Sequence, residues 1–265
     1  MKKLLNVFLI LFVALMISSC TLPDNDTNDE PTYDDTILFG SYPQNEVFDE
    51  LIISELSKLN PNEKGYLVHD NIEYCEVDGH YYTVSPITWK KITVNGKQMY
   101  ITEKIIDCMY FLNIEYFDVC ILPYSRKPGV PEGTFANNYT YSDLRDYLND
   151  VFYNKAFSDE EKSKLDKINY DGNSDYIYTL SISDLNETIY LPASATSYAV
   201  TLGVEQIYDN KVQNIFNGNS SWWLRDANDT HLWRAAGINF EGTVLEYIDC
   251  HFEHNGIRPV IYINE

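Results

Sequence analysis

The richest constellation of arginine and tryptophan lies near the C-terminal end of the chain. Ser221-Trp222-Trp223-Leu224-Arg225-Asp226 is followed by Trp233 and then by Gly256-Ile257-Arg258-Pro259-Val260. A guanidinium beside an indole face can hold a sugar or a carboxylate, through cation–π attraction and a two-pronged hydrogen bond. The same residue types can also build a core, with the guanidinium tied to backbone carbonyls and the indoles filling space. If the segment is a strand, Trp222 and Leu224 share one face and Trp223 and Arg225 the other. One aromatic is then expected in the core and the other beside a guanidinium. Trp223, Arg225, Trp233 and Arg258 are the candidate ligand-binding residues.

Other chemistries find less in the sequence. No G-x-S-x-G nucleophile elbow occurs, and His69, His80, His231, His251 and His254 follow no triad pattern. Phosphate-cradling glycine loops are absent as well. With 40 Asp+Glu, sequence distance selects no particular carboxylate pair. No catalytic residue, metal or cofactor is assigned. Cys250-His251-Phe252-Glu253-His254 collects metal-ligand types, but in a strand its members point to opposite faces. Asp171-Gly172-Asn173-Ser174-Asp175 has the oxygen spacing of a calcium loop. Tyr176 and Ile182, however, stand where such a loop needs Gly and a bidentate Glu, so a polar turn is expected. Cys75, Cys108, Cys120 and Cys250 contain no CxxC pair. They permit three disulfide connectivities, among which the sequence does not choose.

These residues need a scaffold. Ile72–Val77 alternates in strand fashion into an Asp78-Gly79 turn and His80–Val84, and Trp89–Val94 into Asn95-Gly96 and Lys97–Glu103. Both turn types favour two-residue hairpins, so an antiparallel meander is predicted. Thr140-Tyr141-Ser142-Asp143 opens a predicted helix whose Leu144, Leu148, Val151 and Phe152 recur on one face. Ser158-Asp159-Glu160-Glu161 reads as a capping box starting a polar helix to Leu165. Strands are predicted over 176–183, 222–225, 232–238, 244–252 and 258–263. A short helix is predicted from Thr196 to Leu202, stopped by Gly203. The expected fold class is α+β, with mixed antiparallel sheets and inserted helices.

The N-terminal residues carry different information. Lys2 and Lys3 precede an apolar run from Leu4 to Met16, too short to span a bilayer, and Ile17-Ser18-Ser19-Cys20 resembles a bacterial lipobox. The expectation is a signal peptide over 1–19 and lipidation at Cys20. Residues 20–36 are an acidic, apolar-poor stretch expected to act as a flexible tether, and 37–265 a single domain. The net charge of −21 excludes nucleic acid as a natural partner, because phosphate binding needs a basic face. It also argues against the domain lying flat on an anionic bilayer, leaving the lipid as the only predicted membrane contact.

The chain resembles a bacterial domain-of-unknown-function family found in exported and surface proteins. The segments that carry the resemblance are Phe39-Gly40-Ser41-Tyr42-Pro43-Gln44, Tyr82 through Pro86-Ile87-Thr88-Trp89, Ser142-Asp143-Leu144-Arg145 through Leu148-Asn149 to Phe157, Trp222-Trp223-Leu224-Arg225, and Gly256-Ile257-Arg258-Pro259. Ser85 stands where the family usually has Glu, Asp226 where Ser is common, and the insert Glu46 to Asn71 is long. The tryptophan–arginine strand and terminal G-x-R-P also look like C-type-lectin-like folds, including formylglycine-generating enzymes. Those enzymes use a cysteine pair near the C-terminus, where this chain has Cys250 alone, so oxidase activity is not implied.

The expected function is a lipid-anchored extracytoplasmic binding module for a glycan or another extracellular protein. A cell-envelope hydrolase or modifying enzyme using Asp and Glu residues is the alternative, and a structural part of an envelope assembly is the third reading.

Overall fold

The computed structural model describes residues 35–118, 123–206 and 218–264. The expected signal peptide, Cys20, most of the acidic stretch and Cys120 lie outside the described residues. Thr36, expected at the end of the tether, already pairs with Lys90.

The α+β expectation holds: antiparallel sheets dominate, with short helices between them. The larger sheet has eight strands, six of them in the order Ile177–Tyr178, Val260–Ile263, Lys97–Thr102, His80–Val94, Ile72–Val77, Leu67–His69. Thr36–Glu46 pairs with His80–Val94, and Leu165–Asp166 with Val260–Ile263. The smaller sheet orders Val244–Asp249, Arg234–Ile238, Trp222–Ala227, Gly256–Ile257 and Asp107–Cys108. Here Trp222 pairs in parallel with Gly256, which joins the two C-terminal motifs side by side.

The two predicted hairpins share a strand. His80–Val94 runs through Pro86 without a break, pairing first with Ile72–Val77 and later with Lys97–Thr102. Proline interrupts a strand only where its missing N–H is needed. Between Val84 and Thr88 the long strand pairs with Thr36–Glu46 alone, and Gln44 Nε2 donates to the carbonyls of Ser85 and Pro86 at 2.8 and 2.9 Å. Both anticipated turns have positive φ at each central residue: 51° and 82° at Asp78-Gly79, 50° and 76° at Asn95-Gly96. That is the type I′ geometry. Asp171-Gly172 forms a third such turn, between Ile168–Tyr170 and Asn173–Asp175.

The helices are shorter than periodicity suggested. Ser142 Oγ accepts from Arg145 N and caps Asp143–Tyr147, which widens into a π-helical turn, Leu148–Phe152, before Tyr153–Ala156. Leu144, Leu148 and Phe152 are fully buried, whereas Val151 is 40% exposed. The wider turn advances less per residue and swings Val151 off the apolar stripe. The Ser158/Glu161 capping box is present, but its helix is only Asp159–Lys162. Leu165 instead joins a strand beside Ile263. Of the predicted strand 176–183, Ile177–Tyr178 pairs and the rest turns through a 3₁₀ segment, Ile182–Asp184. The helix Ser197–Thr201 is capped by Thr196 as expected, and Gly203 follows with φ of 126°.

The alternation along Trp222–Ala227 sends the two tryptophans into separate apolar clusters. Trp223 joins Tyr42, Trp89, Phe111 and Phe152, and Trp222 joins Ile101, Leu224, Ala236 and Val260. One of them was expected in the core and the other beside a guanidinium; both are fully buried, and the guanidinium over Trp222 is that of Arg258. No helix among the described residues is long and apolar enough to cross a membrane.

Candidate functional site

The motif residues hold one another. Gly40 has φ of 67° in an irregularity of Thr36–Glu46, and its N–H donates to Glu161 Oε1 at 2.8 Å. The Phe39 carbonyl accepts from Trp89 Nε1 at 2.7 Å. Arg145 grips Asp175 with Nε and Nη2 at 2.7 and 2.8 Å, while its Nη1 reaches the Thr140 carbonyl. Asn149 acts as a substitute strand partner: Oδ1 accepts from Tyr176 and Ile177 N–H, and Nδ2 donates to the Ile177 carbonyl. Apart from the local Arg145–Thr140 bond, each contact joins segments at least 27 residues apart in sequence.

Three of the four candidate ligand-binding residues are buried, and they meet different surroundings. Trp223 donates from Nε1 to the Met109 carbonyl at 2.8 Å and packs edge-on against Phe111. Arg258 is 1% exposed; Nε donates to the Thr102 carbonyl and Nη1 to that of Tyr190, while the guanidinium lies over Trp222. Burial lowers its pKa to about 10. Trp233 is half-buried, edge-on to His231 and beside the Arg234 guanidinium. None of these three lines the clefts described below.

Arg225 differs. It is 8% exposed and sits over the faces of Tyr170 and Tyr178, yet it forms part of the wall of an open cleft of about 450 Å³. Nη1 donates to Asp184 Oδ2 at 2.5 Å and to the Thr179 carbonyl at 3.0 Å, and Nε to Asp171 Oδ2 at 2.9 Å. Burial acts to lower the Arg225 pKa, but the two carboxylates outweigh it and raise the value. Asp184 was not singled out from the sequence. Its side chain is 3% exposed and closes a capping box with Ser181, the one signal that marked it. Asp171, read as part of a polar turn, is 69% exposed at the hairpin tip. Thr140, Asn138, Asn173 and Asp226 complete the polar wall.

Asp226 and Ala227 also border a second cleft of about 600 Å³ with Ser183, Asn228, Asp229, Thr230 and Glu246. Asp226 Oδ2 accepts from Ile182 N–H at 2.7 Å, and burial raises its pKa against the lowering effect of that bond. Asn228 shapes the rim: Oδ1 accepts from Thr230 and His231 N–H, and Nδ2 donates to the Glu246 carbonyl. Together the two clefts offer hydroxyl, amide and carboxylate groups around one guanidinium. Such a lining suits a ligand rich in hydroxyls.

Residues 96–265 match the family described as Domain of unknown function (DUF6273). The chain belongs to this family. Comparison with curated proteins and with solved structures returned no match. Both clefts and both C-terminal motifs fall inside the DUF6273 match, while Phe39–Gln44 and Trp89 precede it. Those earlier residues nonetheless complete the same sheet.

Sequence reasoning missed a second polar cluster in this DUF6273 chain. Asp107, buried where the smaller sheet begins, accepts from Tyr42 Oη at 2.5 Å and from Tyr147 Oη through Oδ2, while Cys108 N–H donates to Oδ1. Burial raises the Asp107 pKa even though these donors favour the carboxylate, and burial likewise raises both phenols. No local pattern marks Asp107, because its partners are 65 and 40 residues away.

Cys75, Cys108 and Cys250 are free thiols, and burial raises the pKa of each. The strand expected across Cys250–His254 is corrected, since it ends at Asp249. Among the described residues, no three His, Cys, Asp or Glu side chains converge as metal ligands would.

Proposed function

We propose that this chain is a lipid-anchored extracytoplasmic binding module whose ligand is a glycan, free or carried on a surface protein, seated in the cleft beside Arg225. The observation that carries the reading is the exposed Asp171 carboxylate beside the Arg225 guanidinium on a wall of Thr140, Asn138 and Asn173. A donor edge next to an acceptor edge complements the adjacent hydroxyls of a sugar. The aromatic-rich core fixes the guanidinium, so little ordering remains to oppose binding. A C-type-lectin-like fold accords with the smaller sheet and the loops around its Trp222–Ala227 strand. The apolar leader and its lipobox-like end support export and acylation at Cys20.

A glycan array probed with the full chain tests the proposal. Retention of a defined glycan subset is expected. Thr140→Val, which removes one wall hydroxyl and the acceptor of the bond from Asn173 Nδ2 at 3.1 Å, should weaken that retention about tenfold and lower Tm by a few degrees. A folded chain that retains no glycan refutes it. Fatty-acid labelling that persists in Cys20→Ser would refute the anchor.

A further inference from the structure

Arg225 has two carboxylate neighbours of unlike character. Asp184 is buried, and both of its oxygens have further partners: Oδ2 accepts from Ser181 N–H at 2.9 Å and Oδ1 from Asn95 Nδ2 at 3.3 Å. Together with Nη1 of Arg225 it forms a neutral pair fixed inside the fold. Asp171 is surplus to that balance. It stands 69% exposed on a two-residue turn and touches Arg225 through Nε alone. Among the described residues, Nη2 of Arg225 has no hydrogen-bond partner. The Nε–Nη2 edge of a guanidinium is the one a carboxylate grips with both oxygens, and here a single oxygen occupies half of it. Because the Asp171 end of this pair is in solvent and touches the guanidinium through a single oxygen, it can be exchanged for another carboxylate.

Resting on the binding reading above, we propose that Asp171 occupies the subsite for a ligand carboxylate, so that the preferred ligand is an acidic sugar whose carboxylate displaces Asp171 from Arg225 while its hydroxyls meet Thr140 and Asn173. The turn borders open space on its Gly172 side, where a Cβ would meet nothing within 4 Å. The net charge of −21 repels simple anions, so the carboxylate counts only when the ring contacts accompany it.

The test compares the full wild-type chain with Asp171→Gly and Asp171→Asn by calorimetric titration, using glucuronic acid, its methyl ester and an acetylated tripeptide with a free C-terminus. Both replacements suit the φ of 45° at this position, and Asn keeps an acceptor beside Nε. Asp171→Gly should bind glucuronate at least tenfold more tightly than wild type, with Asp171→Asn intermediate, while the ester, which cannot replace the Asp171 carboxylate and loses it as an acceptor, gains in neither variant. Equal glucuronate affinity in all three, or an equal gain for the ester, overturns the subsite. A gain for the peptide alone overturns the sugar assignment. If wild type retains neutral glycans but Asp171→Gly gains nothing for glucuronate, this inference fails by itself; if no chain retains any glycan, the binding reading fails with it.

Discussion

The Arg258 guanidinium lies 5.3 Å from the centre of the Trp222 ring, and both side chains are buried. All its hydrogen bonds run to backbone carbonyls, those of Thr102, Tyr190 and Leu191. Cation and indole thus act as a cross-brace between the larger sheet and the segment ahead of Ala193. Such a cation carries a desolvation cost that only the fork geometry and the ring offset.

Arg258→Lys should therefore lower stability by about 2–4 kcal/mol, because a buried charge remains while the planar fork and its stacking are lost. Arg258→Met should cost less than Lys, since it removes the charge and keeps the packing. Urea unfolding of the two variants measures the order, and a more stable Lys variant would contradict the cross-brace.

Gly40 and Gly172 both hold positive φ, at 67° and 78°, but only Gly40 is crowded. A Cβ there would lie 2.7 Å from the Phe157 ring and 2.8 Å from the Ala156 carbonyl. Gly172→Ala should cost about 1 kcal/mol from backbone strain alone. Gly40→Ala should exceed it by at least about 2 kcal/mol, since the ring and carbonyl must both shift. Similar unfolding midpoints for the two variants would rule out the close approach.

Asp107 supplies a pH signature. Burial raises its folded-state pKa above the ordinary value of 3.8, so ionising it in the native state opposes folding. Its contribution is fully present below pH 3.8 and is lost as pH rises through the folded-state pKa. Asp107→Asn does not titrate, so the Tm of wild type minus that of the variant should fall as pH climbs through this window. A difference independent of pH would mean that the carboxylate ionises equally in both states.

Local patterns were readable where one or two residues decide conformation. Asp78-Gly79 and Asn95-Gly96 become I′ turns because both central φ values are positive, and the Ser158/Glu161 box forms within four consecutive residues. A domain-of-unknown-function family was expected, and residues 96–265 match one. The length of the helix after Asp143 was not readable, because a π turn depends on the packing around it. Nor was Leu165, which pairing with Ile263 draws from helix into strand.

What the sequence determined by itself was its acidity, its leader-like N-terminus, its turn chemistry and its alternating strands, all properties of neighbouring residues. Only the tertiary structure decided that Trp223 and Arg258 face inward while Arg225 borders a cleft, for nothing in the two motifs separates the three. The difference lies in what chain closure brings alongside: backbone carbonyls against Arg258 and Trp223, but the exposed tip of a distant hairpin against Arg225. Burial depends on contacts across the whole chain, and no local spacing encodes it.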